Sequence, residues 1–150
     1  QYKFFWIGGI PFSFLSSGYS EVKRVQASPP PNLFLPGPQP HEEIYKFYNM
    51  ADIFFFPSRQ ELFPMAPIEA ASCGLPLLLR NLKEYEDIFF DSYIPSTEED
   101  FVNKIVELAE NYDLRMKMSQ KAIALANTYD INKIADQTVK VYRNILNNML

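Results

Sequence analysis

Apolar residues are arranged in two ways along this chain. In the first two thirds, short uninterrupted apolar runs alternate with stretches of helical periodicity, and in the last third only the helical spacing remains. Residues 3–7 (Lys-Phe-Phe-Trp-Ile) are an apolar run ending at Gly8-Gly9, which predicts a buried strand and a turn. Residues 20–25 fit a short helix that Pro29-Pro30-Pro31 stops. Residues 32–35 read as a second short strand before Pro36-Gly37-Pro38, a cluster short enough to lead directly into order. His41-Glu42-Glu43 opens a helix with Ile44, Phe47, Tyr48 and Ala51 on one face. A third strand over 52–56 carries four apolar residues in a row, as a parallel strand covered on both faces would. A helix over 64–73 follows, with Gly74 as its stop. A fourth buried strand covers 75–79, a short helix 84–89 and a last edge strand 92–94.

Beyond this point the pattern is helical. Ser96 and Glu99 have the spacing of a capping box, and Phe101, Ile105 and Leu108 recur along one face. Leu114, Met118, Ala122 and Leu125 do the same in a second helix. Asp130 can cap a third, with Ile131, Ile134, Thr138, Val141 and Ile145 in one stripe. The three stripes are expected to be packing faces, the last also able to dock on another domain. Strands alternating with helices predict an α/β fold, a parallel sheet with helices on both faces.

Composition narrows the function. The 150 residues suffice for one domain with a sizeable core. A net charge of -4 weighs against nucleic acid, which calls for a basic face. A single cysteine, Cys73, excludes an intramolecular disulfide and supplies no zinc framework; with no basic neighbour in sequence it reads as a buried thiol. No apolar run of membrane-spanning length and no signal peptide are visible. The chain enters a strand almost at Gln1, which reads as a piece of a longer protein.

Candidate chemistry concentrates between the third and fourth strands, where a polar loop joins a strand to a helix beginning near Pro64. In open α/β sheets ligands gather outside the carboxyl ends of strands. The helix start exposes unpaired amides and the positive end of its dipole, which stabilise an anion such as a phosphate. Met65 and Ala66 are the expected amide donors. Glu61 lies in the loop and Glu69 within the helix. Carboxylates would repel a phosphate they touched, so they fit better as acceptors for hydroxyls on either side of it. A nucleotide sugar has that arrangement of groups. Against this stands the plain alternative that the helix dipole alone favours glutamates near a helix start.

The segment from Ala51 to Pro76 resembles the donor-binding core of the retaining family 4 glycosyltransferases, whose GT-B fold pairs two Rossmann-like domains. The resemblance is carried by Ala51, Asp52, Pro57, Ser58, Glu61, Phe63, Pro64, Glu69, Ala70, Gly74 and Pro76. It implies that residues 1–150 are the C-terminal, nucleotide-sugar-binding domain, truncated at its N-terminal edge, with the acceptor-binding domain absent. It implies that Glu61, the catalytic candidate, contacts hydroxyls of the donor sugar and that Glu69 binds the ribose. Backbone amides at Phe63, Met65 and Ala66 would face the diphosphate or sugar, and Leu35 and Gly37, in the loop after the second strand, would hold the base. The implied donor is a nucleoside diphosphate sugar, a UDP-sugar by preference, with no metal and no other cofactor. The activity implied is hexosyl transfer to an acceptor hydroxyl on a glycolipid or polysaccharide, with the fragment alone inactive.

The chain also departs from the family. An Arg and a Lys expected before the first strand are absent, and Lys83-Glu84 stands where a Gly-Gly turn is common. Arg80 or Lys83 could supply positive charge in their place, while Arg59 reads as a solvated loop residue. His41, the sole histidine, reads as a surface or capping residue. The aromatic run and Arg-Gln-Glu-Leu-Phe-Pro resemble bacterial enzymes that glycosylate diacylglycerol lipids. That resemblance implies a cytoplasmic protein, at the inner face of the cell membrane when the acceptor is a lipid, with membrane contact made through the missing domain. Two alternatives remain at this stage: a non-catalytic nucleotide-sugar-binding or scaffold module, and a nucleotide-sugar epimerase of the same fold.

Overall fold

The structure, a computed structural model, describes residues 2–9 and 18–149. The stretch 10–17, to which the sequence pattern assigns no element, lies outside the described residues. The chain divides into two compact units, residues 1–44 and 45–150.

The first unit is a β-α-β arrangement. Strand β1 (Phe4–Ile7) and strand β2 (Leu33–Gly37) pair in parallel, and helix α1 (Tyr19–Ala27) lies between them in sequence. Phe5 stacks on its register partner Phe34 at 4.8 Å. The register shifts between Phe5 and Ile7, and beyond it the Gly8 amide donates to the Gly37 carbonyl (3.1 Å). The expectation of a buried first strand is not met: Phe5 and Trp6 are both exposed. A single short helix can cover only one face of a two-stranded sheet. A 3-10 turn (His41–Glu43) closes the unit, with His41 exposed, in place of the first turn of the expected α-helix.

The second unit begins within helix α2 (Ile44–Met50). It holds a three-stranded parallel sheet in the order β3 (Phe54–Phe56), β4 (Leu77–Arg80), β5 (Tyr93–Ser96). The central strand explains the uninterrupted apolar run. Leu77 and Leu79 point to one face, where α3 (Met65–Ser72), α4 (Lys83–Phe89) and α6 (Tyr112–Thr128) contribute Ile68, Ala71, Tyr85, Phe89, Ala122 and Leu125. Leu78 points to the other, against Phe101 and Leu108 of α5 (Phe101–Glu110). All three leucines are fully buried, and helices cover both faces as predicted. Strand β3 spreads its aromatics over both layers too: Phe54 and Phe56 join the first cluster, Phe55 the second.

Gly74 ends α3 as expected. Its amide donates to the Ala71 carbonyl (2.9 Å) and the Leu75 amide to that of Ala70 (3.1 Å), the paired bonds of a Schellman motif. The motif needs a left-handed residue, and Gly74 has φ +78°. The Ser96–Glu99 capping box does not form. Ser96 is the last residue of β5, paired with Arg80, and α5 starts only at Phe101 after Asp100. Sheet pairing holds the serine where it cannot reach the helix amides. Asp130 does cap α7 (Ile131–Met149), its Oδ1 accepting from the Asn132 and Lys133 amides at 3.0 and 3.3 Å. The stripe on α7 is not a packing face among the described residues, since Ile131, Ile134, Val141 and Ile145 are all exposed.

Candidate donor site at the carboxyl ends of β3 and β4

The loop from Pro57 to Pro64 leaves the carboxyl end of β3 and delivers the chain to α3. It is tied to the neighbouring strand, because Arg80 at the end of β4 donates from Nε to the Pro57 carbonyl (3.0 Å). The Arg80 guanidinium also lies 3.4 Å from Glu98 and 5.3 Å over the Phe101 ring. Arg59 is highly exposed, yet it reaches the same Glu98 carboxylate (3.1 Å) and is therefore paired rather than simply solvated. Arg80 is thus engaged within the protein, and Lys83 is an exposed residue at the start of α4.

Proline placement defines the start of α3. Pro64 is the N-cap (φ -77°, ψ 119°), with no side chain capping the helix, and Pro67 is the third helical residue. Of the four amides that an α-helix start leaves without intrahelical partners, the two at prolines do not exist. Met65 and Ala66 alone remain as donors, as the sequence predicts, although it assigns proline to the first turn only at Pro64. Pro67 and Ile68 turn inward and are buried, so the helix is held by its far side. Leu62, Phe63 and Met65, which flank the helix start in sequence, are exposed.

Glu69 and Phe63 each have a tyrosine beside them. Glu69, in the second turn of α3 about 6 Å along the axis from Met65, accepts from the Tyr48 hydroxyl at Oε2 (3.2 Å). Burial first, and then the Glu69 charge, pushes the Tyr48 hydroxyl well above the usual tyrosine range. That bond holds one oxygen of the carboxylate. Phe63 rests edge-on against Tyr129 (5.6 Å), whose hydroxyl donates to the Ile88 carbonyl of α4 (2.8 Å). Glu61 is half-buried. Its charge acts on Tyr85, whose hydroxyl burial, followed by the Glu61 charge, pushes up to about 12.

Glu61, Phe63, Met65, Ala66 and Glu69 therefore belong to one loop and helix start. Leu35 and Gly37 belong to the other unit. They are the third and last residues of β2 rather than part of a loop after it, and the strand runs on through Pro36 because its pairing with β1 reaches Gly37. Cys73, expected to be buried, is only half-buried at the end of α3. It lines a shallow groove at the amino ends of β3 and β4 with Tyr48, Asp52, Arg115 and Ser119. No group of three His, Cys, Asp or Glu that could hold a metal ion occurs among the described residues, and no described helix is long and apolar enough to cross a membrane.

Parallel strands with helices on both faces of the sheet define an α/β protein. The chain matches the family of group 1 glycosyl transferases over residues 20–125, and it belongs to that family. It is 35% identical over 130 residues to an alpha-galactosylglucosyldiacylglycerol synthase of Streptococcus pneumoniae, covering 86% of this chain and 35% of the relative. It is 28% identical over 112 residues to the N,N'-diacetylbacillosaminyl-diphospho-undecaprenol alpha-1,3-N-acetylgalactosaminyltransferase of Campylobacter jejuni, covering 71% and 30%. The chain thus spans about a third of the length of these curated relatives. Among solved structures, the GtfA/B complex superposes with a TM-score of 0.69 at 20% identity, covering 87% of this chain and 28% of that one. The pneumococcal O-GlcNAc transferase GtfA in complex with UDP and GlcNAc superposes with a TM-score of 0.61 at 19% identity, covering 86% and 28%. The fold is that of the GT-B glycosyltransferases.

Tyr48, Tyr85 and Tyr129 are absent from the expected set. Tyr48 counts only as part of the apolar stripe on α2. The available signal is that a buried tyrosine carries a polar handle that usually seeks a partner.

Proposed function

We propose that this chain is the donor-binding domain of a retaining family 4 glycosyltransferase, working with an acceptor-binding domain in a longer protein. One observation carries the reading: two amides at the start of α3 sit on the same short segment as Glu61 and Glu69. The amides of Met65 and Ala66 hold the diphosphate. Glu69, oriented by Tyr48, accepts ribose hydroxyls, and Glu61 accepts hydroxyls of the sugar. These contacts fix the donor's orientation, and the helix start stabilises charge that grows on the departing diphosphate. Neither glutamate acts on the acceptor as acid or base.

The donor is a nucleoside diphosphate sugar, with UDP the first choice; a solved neighbour of the same fold held UDP and GlcNAc. The acceptor is a glycolipid or polysaccharide hydroxyl, a reading supported by the glycolipid in the name of the pneumococcal relative. A lipid acceptor implies work at the inner face of the membrane through the acceptor-binding domain. The test is a transfer assay on the intact protein with UDP-, GDP- and ADP-sugars and a diacylglycerol glycolipid acceptor, followed by NMR of the product's anomeric proton. Retention of the donor's configuration is expected. An inverted product would refute the retaining mechanism, and hydrolysis or transfer with none of the donors would refute the transferase reading.

A further inference from the structure

Tyr85 is fully buried, and its hydroxyl is the one buried side-chain polar atom among the described residues that has no hydrogen-bond partner. Its ring is held on two sides, edge-on to Phe89 at 5.2 Å and to Tyr93 at 6.2 Å. Packing alone would be served as well by phenylalanine, because an unpaired buried hydroxyl is a cost that the isosteric ring avoids.

The residue's place in the fold is specific. It lies in the first turn of α4, just past the carboxyl end of β4, while Glu61 lies just past the carboxyl end of β3. The two strands are parallel neighbours, joined at these ends by the bond from Arg80 to Pro57. Among charged groups, Glu61 weighs on the Tyr85 hydroxyl more than does Glu84, its neighbour in sequence. An unpaired donor and a half-buried carboxylate therefore lie past the carboxyl ends of adjacent strands, at the same end of the sheet.

We propose that Tyr85 is a positioning residue for Glu61: on sugar binding its hydroxyl donates to one oxygen of the Glu61 carboxylate and turns the other toward the sugar hydroxyls. The inference rests on the donor-binding reading and deepens it, since it makes sugar recognition depend on a residue that need not touch the sugar. It also gives stability and function opposite signs. Removing an orphan hydroxyl leaves folding unchanged or improved, whereas a purely structural tyrosine would lose stability on the same change.

The experiment is a calorimetric cycle on the intact protein with UDP and a UDP-sugar, comparing wild type, Tyr85→Phe, Glu61→Ala and the double variant. Tyr85→Phe is expected to keep or raise the thermal midpoint, leave UDP binding unchanged, and lower the extra affinity due to the sugar by about tenfold, as loss of a hydrogen bond to a charged group would. The double variant should bind no more weakly than Glu61→Ala. An unchanged sugar increment in Tyr85→Phe, with Glu61→Ala still abolishing it, overturns this proposal alone. Additive losses in the double variant overturn it in favour of direct contact between Tyr85 and the sugar. A wild type with no sugar increment overturns the proposal and the donor reading together.

Discussion

Met65→Pro separates the helix start from the helix itself. Position 65 is the first helical residue of α3, where proline is favoured because its missing N–H bonds nothing in the helix. The residue before a proline must be extended, and Pro64 already is, at φ -77° and ψ 119°. The Met65 side chain is 57% exposed, so its loss opens no cavity. Folding should therefore change by no more than about 0.5 kcal/mol, the usual range of a surface substitution. The change in donors is larger. Pro64 and Pro67 supply none, so the variant leaves Ala66 as the single amide where there were two. A hydrogen bond to a charged group contributes roughly 1.5–3 kcal/mol. The lower value suits a helix start open to water, and it corresponds to about tenfold in affinity. Calorimetric titration with UDP should register that loss, while uridine, which lacks the diphosphate, should bind both proteins alike. Met65→Ala, which keeps the amide, should match wild type. A Met65→Pro protein with an unaltered thermal midpoint and a UDP affinity within about twofold of wild type would refute the assignment of the diphosphate to this helix start.

Further consequences concern the support of the site and the core. Tyr48→Phe removes the donor on Glu69 and should weaken UDP binding by roughly tenfold, with little effect on the increment due to the sugar; equal loss of both would count against separate roles for the glutamates. Leu78→Ala empties a fully buried position on the central strand and should cost about 2–5 kcal/mol in urea unfolding; a loss below 1 kcal/mol, roughly that of an Ile-to-Val change, would mean that the α5 face is not a packed layer. The tyrosines give a pH dependence. Tyr48, Tyr85, Tyr93 and Tyr129 all hold their protons more tightly in the folded protein than the ordinary value of 10.0, burial being the first cause in each. Their contribution is therefore complete below about pH 10 and is lost as pH rises through the folded values, Tyr85 near 12. The thermal midpoint should fall above about pH 10; a midpoint that stays level through that range would contradict the burial.

Much of this was legible in the sequence because it is local. The four apolar residues Leu75, Leu77, Leu78 and Leu79 announce a strand covered on both faces, and Gly74 announces the end of α3. The two proline-flanked amides follow from positions 64 to 67 alone. What could not be read depends on residues far apart in sequence. Tyr48 meets Glu69 across 21 positions and Tyr129 meets Ile88 across 41, and periodicity assigns such tyrosines only to a face. Ser96 was misread because its spacing to Glu99 is local while its pairing with Arg80 is not. The stripe on α7 gives an amphipathic helix without naming what covers it. Glu61 and Glu69 could be found from their setting, but the groups that orient them could not.

The central claim is that Glu69 reads the nucleotide and Glu61 the sugar. It is tested most directly by measuring binding of UDP and of a UDP-sugar to the intact protein, its Glu69→Ala variant and its Glu61→Ala variant. The account predicts that Glu69→Ala weakens UDP itself, while Glu61→Ala leaves UDP unchanged and removes only the affinity added by the sugar. Equal effects of the two substitutions on UDP, or no binding of any nucleotide sugar by folded wild-type protein, would contradict it.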